Sequence, residues 1–206
     1  MIKSIFNLFL LFLMMNTLVV AQEKKTILVF GDSITAGYGI DTKAAFPAIL
    51  QQKIDSLSLN YEVINAGLSG ETSAGGLRRI NWVLQRKVDI MILELGGNDG
   101  LRGIDLTSTK KNLQQIIERA KAKYPEMVII IAGMQVPPNL GIEYTRQFEE
   151  LYPDLAVENQ LPLIPKILDA VGGRDTLMQA DQIHPNVAGH KLVGETIWQT
   201  LKTYVQ

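Results

Sequence analysis

The chain contains no cysteine among its 206 residues. Disulfides, thiolate metal sites and a lipid-modified cysteine are therefore excluded, and the apolar core must hold the fold without covalent help. Histidine is nearly as scarce, with two residues, and no His-Glu-x-x-His motif occurs. A metal hydrolase needs a tight group of His, Cys or carboxylate ligands, so no metal is expected. Charge of a single sign is also lacking: 20 Lys and Arg oppose 21 Asp and Glu. No broad field draws the chain to nucleic acid or to an anionic membrane surface, and a small neutral or amphiphilic partner fits better. The basic doublets Arg78-Arg79 and Lys110-Lys111 fall in helix-like segments and read as solvated faces. Gly37-Tyr38-Gly39 lacks the third glycine of a dinucleotide fingerprint, and no Walker-type Gly-Lys-Ser/Thr is present. Ser33 lacks the second glycine of Gly-x-Ser-x-Gly, which argues against an α/β-hydrolase nucleophile elbow.

The N-terminus departs from this even composition. Lys3 precedes an apolar stretch that is uninterrupted from Leu8 to Met15 and is followed by Val19, Val20 and Ala21. A membrane-spanning helix needs about 20 apolar residues to cross roughly 30 Å of hydrocarbon, so this shorter run reads as a secretory signal peptide over residues 1–21. Cleavage before Gln22 would release an exported protein, periplasmic or secreted, with no lasting membrane insertion. An uncleaved anchor is the alternative. The remaining residues, 22–206, at 47% hydrophobic content for the whole chain, suffice for one domain with a substantial core and are too few to suggest two.

Within that domain, β-branched apolar runs at Thr26–Phe30, Tyr61–Asn65, Asp89–Leu95, Met127–Ala132 and Leu161–Ile164 alternate with helical patterns. The helical patterns cover Ala44–Leu57, Ala74–Arg86, Thr107–Lys123, Tyr144–Glu158 and about Asn186–Lys202. Leu113, Ile116, Ile117 and Ala120, for instance, form one apolar stripe. The near-continuous hydrophobicity of the runs predicts strands buried on both faces. Strict alternation of strand and helix then implies right-handed crossovers, hence an α/β fold with a parallel sheet of about five strands covered on both faces. Such folds carry their sites in the loops after the strands. Those loops hold Gly31-Asp32-Ser33-Ile34-Thr35, Asn65-Ala66-Gly67-Leu68-Ser69-Gly70 and Gly96-Gly97-Asn98-Asp99-Gly100. Pro137-Pro138-Asn139-Leu140-Gly141 reads as a surface loop bordering them.

Acyl transfer by serine needs a nucleophile, a base within hydrogen-bond reach, a carboxylate that fixes the tautomer of the base, and donors for the oxyanion. His184 stands in Asp181-Gln182-Ile183-His184-Pro185-Asn186, and Pro185 suits the first position of a helix. In the preceding turn Asp181 can fold back onto His184 Nδ1, leaving Nε2 to face Ser33. His190 lies inside the last helical pattern without a comparable carboxylate and reads as a surface or packing residue.

Taken together, these blocks resemble the SGNH, or GDSL-like, hydrolase family. Gly31-Asp32-Ser33-Ile34 looks like the nucleophile block, with Ile34 in place of the usual leucine; Asn65 to Thr72, Gly96-Gly97-Asn98-Asp99 and Asp181 with His184 look like the other three. Leu95 to Gly103 and Asn139 to Asp154 further resemble the branch of bacterial periplasmic acyl-CoA thioesterases, lysophospholipases and arylesterases. The resemblance implies a flavodoxin-like three-layer sandwich, no cofactor and no metal. It also implies a catalytic set of Ser33, Asp181 and His184 and an oxyanion hole from Ser33 N–H, Gly70 N–H and the Asn98 amide. The implied partners are small acyl esters or thioesters: aryl and short-chain esters, acyl-CoA and lysophospholipids. Asp32 and Asp99 are expected to brace their loops, Asp99 by bonding nearby backbone N–H groups. Leu101, Met134, Val136 and Ile142 are candidates for an acyl-chain groove. A carbohydrate O-acetylesterase of the same family and a non-catalytic exported binding module are the alternatives.

Overall fold

The apolar runs form a five-stranded parallel sheet in the order β2-β1-β3-β4-β5. The computed structural model describes residues 23–205, so the export signal expected over residues 1–21 lies outside the described residues. The strands are β1 (Lys25–Gly31), β2 (Tyr61–Gly67), β3 (Ile90–Glu94), β4 (Val128–Ala132) and β5 (Leu163–Ile164). Central β1 and β3 are buried almost throughout, whereas the edge strand β2 is largely half-buried. Continuous hydrophobicity therefore belongs to the middle of the sheet, where helices cover both faces. The last run, expected from Leu161, pairs only at Leu163 and Ile164, because it meets no more than the end of β4.

Connecting the strands are α1 (Ser33–Ala36), α2 (Phe46–Ser56), α3 (Ser73–Val83), α4 (Gly97–Leu101), α5 (Leu106–Lys123), α6 (Ile142–Asn159) and α7 (Val187–Leu201). Helix α2 packs with α7 on one face, and α3, α5 and α6 pack in series on the other, which completes three layers. The stripe expected on α5 is buried as Leu113, Ile116, Ile117 and Ala120. His190 of α7 is 1% exposed, and its Nδ1 accepts from Phe46 N at 3.2 Å, so it is a core residue rather than a surface one. Burial, then the charge of His184, lowers its pKa to about 4.

This strand order reverses direction between β1 and β3. Chains leaving β1 cross to one side and chains leaving β3 to the other, which opens a crevice at their carboxyl ends. The fold thus delivers the loops after β1 and β3 to opposite walls of one cleft.

Candidate active site

Ser33 is the first residue of α1, immediately after β1. The preceding Asp32 caps that short helix, its Oδ1 accepting from Ile34 N at 3.0 Å. Ser33 is 8% exposed and turns Oγ toward the loop before α7. There His184 Nε2 lies 2.9 Å from Ser33 Oγ, and His184 Nδ1 lies 2.6 Å from Asp181 Oδ2. With the imidazole proton on Nδ1, donated to the carboxylate, Ser33 donates its hydroxyl proton to Nε2. The Tyr38 ring backs the imidazole at 4.6 Å between centroids.

Local chemistry explains why the closing loop can present this pair. Asp181 Oδ1 accepts from both Ile183 N and His184 N at 3.0 Å, a side-chain-stapled turn that brings Oδ2 under the imidazole. Gln182 takes up the left-handed conformation the tight turn demands, at φ 57°. Partial burial pushes the Asp181 pKa up, but the bonds from the His184 ring, His184 N and Ile183 N outweigh it and bring the value down to about 2. The helix begins at Val187 behind the cap Asn186, not at Pro185: Asn186 Oδ1 accepts from Ala188 N and Gly189 N, while Pro185 stands one residue before the cap in a bridge with Met178.

On the opposite wall, Asn98 belongs to α4, directly after β3. Its Nδ2 donates to Asp32 Oδ2 at 3.0 Å, which leaves the second amide hydrogen unassigned. Gly70 holds φ 77°; an added Cβ would meet nothing closer than Arg102 Nη2 at 3.7 Å, so the positive φ rather than crowding is what requires glycine. Neither Ser33 N nor Gly70 N donates to an acceptor among the described residues. Of the residues expected at the site, Ser33, Asn98, Asp181 and His184 meet in hydrogen-bonded pairs or line the same cleft, and Gly70 is tied to Asn98 through Arg102.

That arginine was not among the expected site residues. Arg102 Nη2 donates to Gly70 O at 3.0 Å and to Asn98 Oδ1 at 3.3 Å, which orients the amide with Nδ2 away from the guanidinium. Its position at i+4 from Asn98 on the continuing turn is the only sequence signal for the contact. Arg79, read as a solvated charge, is instead partly buried over the Phe30 ring at 4.3 Å. It pairs with Glu71 and donates to the Ala66 and Gly31 carbonyls, tying the first two post-strand loops together. Asp99 bonds more remotely than expected: it accepts from Ser73 N at 2.7 Å and Ser73 Oγ at 2.6 Å, and from Thr109 Oγ1 at 3.2 Å, pinning α4 to α3 and α5.

From Ser33 and Asn98 a cleft of about 620 Å³ runs outward. Its apolar wall is Leu101, Met134, Val136, Leu168, Met178 and Ile183, and the Lys166–Glu149 ion pair, at 3.1 Å, also lines it. A volume of this order accepts an extended aliphatic or aryl group. Ile142, expected here, is 82% exposed and does not line the cleft. Among the described residues no group of His or carboxylate side chains is arranged to hold a metal ion, and no helix is long and apolar enough to cross a membrane.

Comparison with known proteins agrees with the architecture. The model of the GDSL-like Lipase/Acylhydrolase family matches residues 29–192. The chain is 40% identical over 179 residues to Esterase TesA of Pseudomonas aeruginosa, covering 86% of this chain and 88% of that protein. It is 37% identical over 186 residues to Thioesterase 1/protease 1/lysophospholipase L1 of Escherichia coli (strain K12), covering 90% and 87%. Among solved structures, the psychrotrophic esterase EstA from Pseudoalteromonas sp., inhibited by monoethylphosphonate, superposes with a TM-score of 0.83 at 30% identity, covering 88% of this chain and 98% of that one.

Proposed function

Because this chain belongs to the GDSL-like lipase/acylhydrolase family, we propose that it hydrolyses carboxylic ester or thioester bonds through an acyl intermediate on Ser33. The observation that carries this reading is the continuous run of hydrogen bonds from Ser33 Oγ through His184 to Asp181, closed across 151 positions of sequence. His184 accepts the hydroxyl proton as Oγ attacks the carbonyl carbon, then returns it to the departing alkoxide or thiolate. Asp181 keeps the imidazole in the tautomer that accepts from serine and stabilises the imidazolium. Water then enters with His184 as its base, and the acid leaves.

Negative charge on the carbonyl oxygen is met by Ser33 N–H, Gly70 N–H and the second Asn98 amide hydrogen. None of the three has to leave another partner first. The apolar wall from Leu101 to Ile183 favours a chain-bearing or aryl acyl group over acetyl alone, which sets an O-acetylesterase role second. The relatives named for esterase, thioesterase and lysophospholipase activity support the same substrate classes, and no cofactor is required. Export is part of the proposal, supported by the apolar run at Leu8 to Met15 behind Lys3.

A series of p-nitrophenyl esters of increasing chain length, with a lysophospholipid and an acyl-CoA beside it, tests the reading. A pre-steady-state burst of nitrophenol, absent from Ser33→Ala, is expected. Saturable binding of these compounds with no turnover of any would establish the non-catalytic module instead.

A further inference from the structure

Glu94 is the one acidic residue of β3 and is fully buried beneath the cleft. Its two oxygens have different surroundings. Oε2 accepts from Asp32 N and Thr35 N, both at 3.2 Å, and from Thr35 Oγ1 at 2.6 Å. Oε1 is buried and accepts from no N–H or O–H among the described residues. The Asp32 side chain, on the residue whose N–H bonds Oε2, already has a donor on each oxygen: Ile34 N on Oδ1 and Asn98 Nδ2 on Oδ2. Two carboxyl groups bond to each other only when one carries a proton. Donors converge on Asp32, which suits the ionised form; Glu94 Oε1 has none, which suits a hydroxyl.

We propose that Glu94 carries a proton on Oε1 and donates it to Asp32, and that it thereby acts as a positioning residue holding Asp32 ionised and aimed at Asn98. The Asn98 part rests on the reading of Asn98 as an oxyanion donor. Of the other groups around the pair, His184 when charged favours the ionised form of Asp32, which leaves Glu94 as the member that keeps the proton. Tyr152 of α6 is a buried phenol whose OH donates to Leu95 O at 3.1 Å. Arg79 of α3 reaches the Gly31 carbonyl but is bound to Glu71, and Asp99 faces Ser73 and Thr109. Burial, then the Asp32 charge, holds Glu94 well above the usual carboxyl range; burial also raises Asp32, to about 6, against the bonds it accepts. Gly31 makes room for the pair, since a Cβ there would sit 2.1 Å from Thr35 Oγ1 and 2.3 Å from Glu94 Oε2.

Glutamine copies a protonated glutamate: its oxygen accepts the three bonds and its amide donates to Asp32. Asparagine at position 32 still caps α1 but cannot accept from both Asn98 and Glu94. The test is steady-state kinetics and infrared spectra of the full chain, Glu94→Gln and Asp32→Asn, each checked for cooperative unfolding. E94Q should keep kcat within about threefold. D32N should lose about 10- to 100-fold in kcat with KM within about threefold, part of the effect of an oxyanion donor. A protonated-carboxyl band present at neutral pH in the parent should vanish in E94Q. The reverse ranking, equal tolerance, equal damage, failure of E94Q to fold, or a band that survives in E94Q would each overturn the assignment. Were no ester turned over by the parent, the infrared band alone would decide the proton, and the Asn98 role would fall with the serine mechanism.

Discussion

Asp32 and Asp181 use one device in two surroundings. Each staples a turn by accepting on Oδ1 from the backbone N–H two residues ahead, Ile34 N and Ile183 N, both at 3.0 Å. Each offers Oδ2 to a side chain in the site: Asn98 Nδ2 for Asp32, His184 Nδ1 for Asp181. Yet from the same ordinary value of 3.8, Asp32 is raised to about 6 and Asp181 lowered to about 2. Asp32 is 2% exposed and shares its burial with Glu94, whereas the Asp181 side chain is 38% exposed. Water supports the charge of Asp181, so its hydrogen bonds prevail; around Asp32 desolvation exceeds them. The same residue type thus serves as a firm anion under the imidazole and, beside Asn98, as an anion that burial makes easier to protonate.

Removing the exposed member should have the larger effect. Asp181→Asn, which permits the wrong tautomer of His184, is expected to lower kcat on the order of 10⁴-fold, measured on a p-nitrophenyl ester. On the Asp32 side the corresponding target is Asn98, and Asn98→Ala should lower kcat about 100- to 1,000-fold with KM little changed. Arg102→Ala frees Gly70 O and Asn98 Oδ1 but leaves the donors themselves in place; a loss of about 3- to 10-fold in kcat, the worth of one hydrogen bond, is expected. An Arg102→Ala enzyme as damaged as Asn98→Ala would show that the guanidinium itself meets the substrate.

The smallest effects are on stability, and their pH dependence has opposite sign. Asp181 is lowered in the fold, so the stability it contributes is present above 3.8 and is lost as pH falls through about 2. Asp32 is raised, so its contribution is present below 3.8 and is lost as pH rises through about 6. Melting temperatures of parent and variants across pH should therefore converge on acidification for D181N, and for D32N shift in favour of the variant between pH 4 and 7. Parallel curves for both variants would remove the contrast between the two aspartates.

Much of the architecture was legible because the runs in β1 and β3 are buried on both faces, and alternation with helices leaves few topologies open. Ser33, Asn98 and His184 stood out because the short blocks that hold them resemble, in order, those of the SGNH family. What escaped was long-range pairing. Nothing in Leu101-Arg102-Gly103 says that the guanidinium reaches Gly70, 32 positions away. Arg79 looked like one half of a solvated doublet, since its partners, Glu71 and the Gly31 and Ala66 carbonyls, come from other parts of the chain. Glu94 did carry a signal, an acid closing the apolar run Ile90-Met91-Ile92-Leu93, and a charge at a doubly covered position asks for a partner. Pro185 misled by two residues because Asn186, a strong cap, follows it and the helix starts at Val187.

Mapping the covalent intermediate tests the central claim most directly. The protein, mixed with a slowly deacylating p-nitrophenyl ester and quenched in acid, should yield on peptide mass spectrometry one acyl group per chain on Ser33, and none in Ser33→Ala or His184→Ala. Steady hydrolysis with no adduct on Ser33, or an adduct on another residue that survives Ser33→Ala, would contradict the account.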